Sequence, residues 1–271
     1  MARLRRLDAE LVRRRLARSR QHAAELLAAG RVSVAGQLAA KPATQVDPAI
    51  AITVRQDLAD PGYASRGGHK LAGALDHFAG HGLSVAGRQA LDAGASTGGF
   101  TDVLLRRGAA AVIAVDVGYG QLVWALQQDP RVQILDRQNV RQLLPEQLPF
   151  RPDLVVADLS FISLRLVLPA LVGCAVEEAD LVVMVKPQFE VGRDRLGSGG
   201  VVRDPAERAA TVRTVADAAF ALGRGTCGVV ASPLPGPSGN VEYFLWLSRS
   251  AGPLPDAELH RAIADGPTGR A

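Results

Sequence analysis

The chain has 271 residues, 48% hydrophobic and 21% charged, which excludes a disordered protein; its 28 glycines follow no three-residue period, which excludes a collagen-like one. Against a prior of about 150 residues per domain, this length suits one large α/β domain with a small companion. Two cysteines, Cys174 and Cys227, cannot build a disulfide framework or a four-ligand zinc site, so they read as buried thiols and no metal is expected. The best apolar run, from Leu166 to Val176, is about half of the ~20 residues a bilayer helix needs, and it holds Pro169 and Gly173. The arginine-rich N-terminus lacks the apolar core of a secretory signal, so a cytoplasmic location is expected.

Charge is unevenly placed. The first 60 residues hold 11 of the 31 Lys and Arg residues but only 6 of the 27 Asp and Glu, so the whole positive excess of the chain sits there. A basic patch beside a near-neutral body suits a polyanionic partner; a solvated basic face is the alternative. Lys41, Lys70 and Lys186 are the only lysines. In a chain so biased toward arginine, a lysine marks a position where a group able to lose its proton could matter.

In chain order, Asp8 can cap a helix reaching about Ala17. Ser19 can cap a second, with Ala23, Leu26 and Leu27 on one face and Gly30 as its stop. Short strands follow at Val32 to Val34 and Ile50 to Val54, with a turn at Ala35-Gly36. These pieces predict a small α+β domain over residues 1–60, and the Pro and Gly of 61–65 predict a linker. From Lys70 the pattern alternates: strands near 89–93, 111–116, 132–136, 154–158 and 180–185, helices near 70–80, 98–107, 120–128, 164–172 and 205–222. Asp204-Pro205-Ala206-Glu207 opens the last helix with an N-cap, a proline and a capping box. Two further strands near 226–231 and 241–247 complete a mostly parallel, seven-stranded α/β sheet over 66–249, covered on both faces. The Pro-, Gly- and Ala-rich residues 250–271 predict a flexible tail.

The first of these strands runs into Leu91-Asp92-Ala93-Gly94-Ala95-Ser96-Thr97-Gly98-Gly99-Phe100. Small residues between a strand and a helix let backbone amides approach a ligand. A dinucleotide site favours G-x-G-x-x-G, whereas Ser96 occupies the second glycine position and Asp92 precedes the loop. An acid there repels a pyrophosphate but suits a cationic ligand such as S-adenosylmethionine. Asp116, about 20 residues on at the next strand end, can accept ribose hydroxyls. Asp136, at the third strand end, can meet the adenine amino group or simply cap a helix. A purely structural glycine turn is the alternative for the loop itself.

Strands four and five end at Asp158 and Lys186, which places both beyond the carboxyl edge where open α/β sheets bind ligands. Lys70 begins the helix before the first strand, and Glu242 starts the late strand. Five scattered histidines form no triad or metal cluster with other residues. Methyl transfer to a hydroxyl needs a positioned base, and a desolvated lysine near a second cation can be one. Lys186 is the candidate base, Lys70 the neighbouring cation, and Asp158 and Glu242 orient them; two structural ion pairs are the alternative.

Lys70, Asp158, Lys186 and Glu242 match in order and context the K-D-K-E tetrad of FtsJ-like ribose 2′-O-methyltransferases. The strings S-R-G-G-H-K-L, L-D-A-G-A-S-T-G-G-F, A-D-L-S-F-I-S, V-K-P-Q-F-E-V-G and G-N-V-E-Y-F-L resemble the TlyA (haemolysin A) family. The N-terminal segment resembles the RNA-binding module named after small-subunit ribosomal protein four. The resemblance covers the chain from Arg6 to about Leu247. It implies a Rossmann-like methyltransferase domain that uses S-adenosylmethionine to methylate cytidine 2′-hydroxyls in rRNA. Cofactor contacts would come from Asp92, Gly94, Ser96, Thr97, Gly98, Gly99, Asp116 and Asp136. The arm from Met1 to Arg6 resembles that of members acting on both ribosomal subunits.

It also implies RNA contacts at Arg6, Arg20 and Lys41, with Phe161 beside the target nucleotide; for Phe161 a core position is the alternative. The loop from Glu190 to Arg203 would form a mobile lid over the RNA. The partner expected is rRNA within ribosomal subunits, acted on by a monomer. The competing functions are a non-catalytic ribosome-assembly or RNA-binding factor and a membrane-active haemolysin.

Overall fold

The computed structural model describes residues 4–17, 19–55, 61–192, 196–236 and 238–267. Expectations that fall on residues 1–3 of the N-terminal arm, on Arg18, on 56–60 at the end of the first domain, on 193–195 of the lid and on 268–271 of the tail lie outside the described residues. The chain divides into two compact units, Met1–Gly62 and Tyr63–Ala271.

The first unit runs β1 (Arg5–Arg6), α1 (Leu7–Arg13), α2 (Arg20–Ala28), β2 (Val32–Val34), β3 (Gln37–Leu38), β4 (Gln45–Val46) and β5 (Ile52–Val54). β1 pairs with β4, and β2 lies between β3 and β5. The Ala35-Gly36 turn joins β2 to β3 with φ of 48° and 81° at its two residues, the left-handed pair a tight hairpin requires. Leu7, Leu11, Ala23, Leu26, Leu27 and Val32 fill the core. Ser19 caps α2, its side chain accepting from the His22 amide at 3.1 Å.

Asp8 does not cap α1. It lies buried inside the first turn, where it takes Arg6 and Arg20 as partners, each at 2.9 Å. The Arg6 hydrogen bond, supported by Arg20, holds the Asp8 carboxyl well below the usual carboxylate range. The helix stops at Arg13, short of the expected Ala17, and Arg15 turns with φ of 59°.

The second unit runs α3 (Arg66–Ala79), β6 (Gln89–Ala93), α4 (Gly99–Arg106), β7 (Ala111–Val115), α5 (Trp124–Gln127), β8 (Val132–Leu135), β9 (Leu154–Ala157), α6 (Leu164–Cys174), β10 (Asp180–Val185), α7 (Pro187–Glu190), α8 (Pro205–Ala221), β11 (Gly225–Ala231), β12 (Tyr243–Ser248) and α9 (Asp256–Ala264). Its seven strands lie in the order β11-β12-β10-β9-β6-β7-β8. The five from β8 to β10 are parallel, and β12 runs antiparallel to both β10 and β11.

Alternation along β6 sets the two faces. Ala90 joins the core under α3 and α4, Leu91 the core under α6, α8 and α9. From β6 the chain moves outward through β7 to β8, then returns to β9 on the other side. The reversal opens a crevice beyond the carboxyl ends of β6 and β9.

Two elements differ from expectation. The helix expected over 120–128 is one turn, α5, because the loop after β7 is held by its own carboxylates. Within the expected tail, residues Asp256–Ala264 form a helix, α9, which packs Leu259, Ala262 and Ile263 into the main core, with Leu254 leading in.

Candidate active site

Asp92, next to the last residue of β6, is fully buried. Its Oδ2 accepts from Thr101 Oγ1 of α4 at 2.7 Å, while Oδ1 has no hydrogen-bond partner among the described residues. Burial, with lesser repulsion from Asp158 and Asp116, pushes its carboxyl up to about 7 against opposing bonds from Thr101. A buried carboxyl oxygen left unpartnered at the end of β6 is consistent with a positively charged group bound nearby.

The glycines of the following turn have identifiable physical causes. Gly94 has φ of 89°, and a Cβ there would lie 2.5 Å from the Asp158 carbonyl oxygen. A Cβ on Gly98 would strike the Leu126 side chain, and one on Gly99 would strike Ser65 Oγ at the α3–α4 contact. Packing therefore accounts for the glycine requirement at 98 and 99, and any ligand contact there falls to main-chain amides. Ser96 takes φ of 48° and donates its amide to Asp116 Oδ2 at 2.8 Å. Asp116 Oδ1 accepts from Gly118 N at 2.7 Å, and Asp136 Oδ2 from Gly120 N at 2.8 Å. Both strand-end acids thus shape the loop between β7 and α5, beside which Tyr119 and Trp124 are exposed. Thr97 completes the turn, its carbonyl accepting from Val123 N at 3.3 Å.

The four candidate catalytic residues fall into two ion pairs. Lys70 lies one turn inside α3, not at its start, and its Nζ meets Glu242 Oε2 at 2.5 Å. Both side chains are buried. Glu242 immediately precedes β12, and Gly236 lets its carboxylate in: a Cβ there would lie 2.7 Å from Oε1. Lys186 Nζ lies 2.5 Å from Asp158 Oδ1 and donates to Ser160 Oγ at 2.9 Å. Each lysine therefore meets a carboxylate of its own.

Sequence reasoning missed Thr101, Ser160, Glu190 and Asn240. Glu190, on the turn after Lys186, is buried; burial raises its carboxyl against hydrogen bonds from Ser163 and the Leu164 amide. Asn240 Oδ1 accepts from Val202 N and its Nδ2 donates to the Gly200 carbonyl, both at 2.9 Å, so this described part of the expected lid is tied down. The only available signal was position: Ser160, Glu190 and Asn240 lie within four residues of a tetrad residue, and Thr101 lies on α4 just after the glycine turn.

Phe161 is no core residue. It is 91% exposed with φ of 63°, and its ring packs on Phe189 with centroids 5.2 Å apart. In the first unit Arg6 and Arg20 keep their heads partly exposed while paired with Asp8, and Lys41 is exposed.

A mostly parallel sheet with this reversal, a glycine turn after β6 and acids at the next two strand ends define an α/β methyltransferase fold. Residues 63–249 match the family model of the FtsJ-like methyltransferases, and residues 5–49 match that of the S4 domain. The chain belongs to the FtsJ-like methyltransferase family.

It is 62% identical over 273 residues to the 16S/23S rRNA (cytidine-2′-O)-methyltransferase TlyA of Mycobacterium tuberculosis, covering 98% of this chain and all of that one. It is 35% identical over 227 residues to Hemolysin A of Brachyspira hyodysenteriae, covering 83% of this chain and 92% of that one. A solved structure from Streptococcus thermophilus described as a hemolysin superposes with a TM-score of 0.76 at 36% identity, covering 97% and 96% of the two chains. Among the described residues no helix is long and apolar enough to cross a membrane.

Proposed function

We propose that this chain methylates the 2′-hydroxyl of cytidines in rRNA, in both the small and the large subunit, with S-adenosylmethionine as donor. The observation that carries the reading is the pair of lysine–carboxylate contacts at the sheet reversal, beside a buried acid with a free oxygen. The named activity of the Mycobacterium tuberculosis relative supports the choice of substrate. An rRNA substrate places the protein in the cytoplasm.

Asp92, the 94–99 turn, Asp116 and Asp136 would hold the donor, which fits the orphaned Asp92 oxygen. Bound there, it supplies a methyl group on a sulfonium, a good leaving group that needs no protonation. The remaining task for the protein is to remove the ribose proton as the new C–O bond forms. Lys186 Nζ first yields a proton to Asp158, 2.5 Å away, and its freed lone pair then takes the ribose proton, while the half-buried Asp158 carboxyl passes the first proton to solvent. Ser160 fixes the direction of Nζ by accepting from it. Lys70, clamped by Glu242, provides a fixed cation in a dry setting, where charge acts more strongly than in water.

Phe161 offers an exposed ring on which a base taken out of its helix can stack. Arg6, Arg20 and Lys41 would contact phosphates, which set register without reading sequence. Asp8 holds the two arginines in place while leaving guanidinium edges in solvent.

The test is transfer of labelled methyl from S-adenosylmethionine to purified ribosomal subunits, beside naked rRNA and the Lys186→Ala protein. Label mapped to a cytidine ribose with wild type only is the expected result. Absence of label on every subunit, with the donor measurably bound, moves the function to a non-catalytic RNA-binding factor.

A further inference from the structure

The reaction site depends on two loops that leave neighbouring strands, one after β9 and one after β10. The first, residues 158–163, carries Asp158, Ser160 and Phe161; the second is the α7 turn, which follows Lys186 directly. The first loop is anchored on either side of Phe161, with the Asp158 amide bonded to the Ala93 carbonyl at 3.0 Å and Leu159 and Ile162 packed on the main core, but Phe161 itself takes a left-handed backbone conformation with little burial. Beyond the Lys186 contacts and the Phe161–Phe189 ring contact, the loops are joined by the buried Glu190 carboxylate. Glu190 Oε2 accepts from Ser163 Oγ at 2.6 Å, and Oε1 accepts from the Leu164 amide at 2.7 Å. Arg165 Nε stands 3.6 Å from Oε2. Glu190 thereby adds a cap to α6 from another segment, beside the helix's own N-cap Ser163, whose Oγ accepts from the Arg165 amide at 3.3 Å.

We infer that Glu190 is a positioning residue for methyl transfer, locking the Phe161 loop to the turn that carries Lys186. The inference rests on the proposed RNA methylation and deepens it. The geometry is that of a clasp: α7 spans one turn, with the Phe189 amide bonded to the Lys186 carbonyl at 2.9 Å and the Val191 amide to the Pro187 carbonyl at 3.1 Å. Lys186, Phe189 and Glu190 therefore move as one body. Lys186 grips Asp158 and Ser160, Phe189 touches Phe161, and Glu190 grips Ser163 and Leu164. Releasing the last grip frees the far end of the loop while leaving the donor pocket at Asp92 untouched. The part of the reaction that should suffer is the placing of the target nucleotide against Lys186, since small misplacements of reacting groups cost large factors in rate.

The test compares Glu190→Ala, Glu190→Gln and Ser163→Ala with wild type in the full chain. Expected for Glu190→Ala is a fall in kcat on ribosomal subunits on the order of 10- to 100-fold, with unchanged affinity for S-adenosylmethionine. Glu190→Gln, which keeps one acceptor oxygen and the side-chain volume, should recover part of the loss. In a Phe161→Ala background the effect of Glu190→Ala should largely vanish, because the ring it positions is gone. A merely structural role predicts instead that the two losses multiply.

Hydrogen–deuterium exchange supplies a readout independent of catalysis: amides 159–164 should exchange faster in Glu190→Ala, with those of 92–99 unaltered. If Glu190→Ala fails to fold, Ser163→Ala breaks the same clasp from the other side and should reproduce the kcat loss. Wild-type transfer with kcat of the variants within about twofold, or multiplying losses with Phe161→Ala, overturns the inference. Absence of transfer by wild type overturns the proposed function instead, and unchanged exchange at 159–164 then overturns the clasp as well.

Discussion

Replacing Asp92 by asparagine tests whether the crevice is built for a cation. The carboxyl is fully buried, has one oxygen without a partner, and is raised from 3.8 to about 7, chiefly by desolvation. A folded-state pKa above the unfolded one contributes stability that is fully present below about pH 4 and is lost as pH rises to about 7. Each pKa unit is worth about 1.36 kcal/mol, so the loss for the ligand-free protein between pH 5 and pH 8 is about 3 kcal/mol. The amide introduced by Asp92→Asn cannot ionise, keeps the shape and retains an acceptor for Thr101. Urea unfolding of both proteins from pH 5 to pH 8 should show the variant gaining stability on wild type by about that amount. Adding S-adenosylmethionine should reverse the order at pH 8, because the wild-type carboxylate then has a cation to face. By the same linkage, wild-type affinity for the donor should fall as pH drops below about 7, and that of the variant should stay flat. A stability difference that does not change with pH would refute the reasoning, as would equal donor affinity in the two proteins.

Three further substitutions probe other parts of the molecule. Lys186→Ala should lower methyl transfer by roughly 100- to 10,000-fold, the range for losing a general base, while donor binding measured by calorimetry is retained. Phe161→Ala should leave the unfolding midpoint nearly unchanged, since the ring is 91% exposed, but should sharply reduce methylation of subunits in the radiolabel assay. Leu259→Ala should destabilise the protein by about 2–4 kcal/mol in denaturant unfolding, because the side chain is buried in the main core; a flexible tail would show no effect.

How far the sequence could be read depended on the kind of interaction involved. Asp92, Asp116, Asp136, Asp158 and Lys186 were legible because the end of a parallel strand is visible in sequence as the close of an apolar run, and ligands gather at that edge. Lys70 stood out as one of three lysines in an arginine-rich chain and Glu242 as an acid at the late strand, but nothing local shows that a helix before the first strand meets a segment before the last, so their direct pairing was not legible. Asp8 was misread because a cap and a buried ion-pair partner share the same residue type, and only the fold brings Arg20 to it. The helix at Asp256–Ala264 carried a signal, with Pro255 and Asp256 at its start and Leu259, Ala262 and Ile263 on one face, but the surrounding Pro and Gly masked it. Glu190 was invisible because its partners are a hydroxyl and an amide from the neighbouring strand's loop.

The two ion pairs of the site differ greatly in sequence span. Lys186 and Asp158 are 28 residues apart, whereas Lys70 and Glu242 are 172 apart. β12 must enter between β10 and β11 before Glu242 can reach Lys70, and Val241 and Tyr243 join the same core as Leu259, Ala262 and Ile263 of α9. During synthesis, then, the Lys186 half of the site has its residues once Lys186 is made, but the Lys70 half waits for Glu242 and β12. Loop-closure entropy makes that pairing a late event in refolding as well. A partly made chain can therefore hold a donor pocket and a base without a finished reaction centre, and competence for methyl transfer becomes a report on whether β12 has entered the sheet.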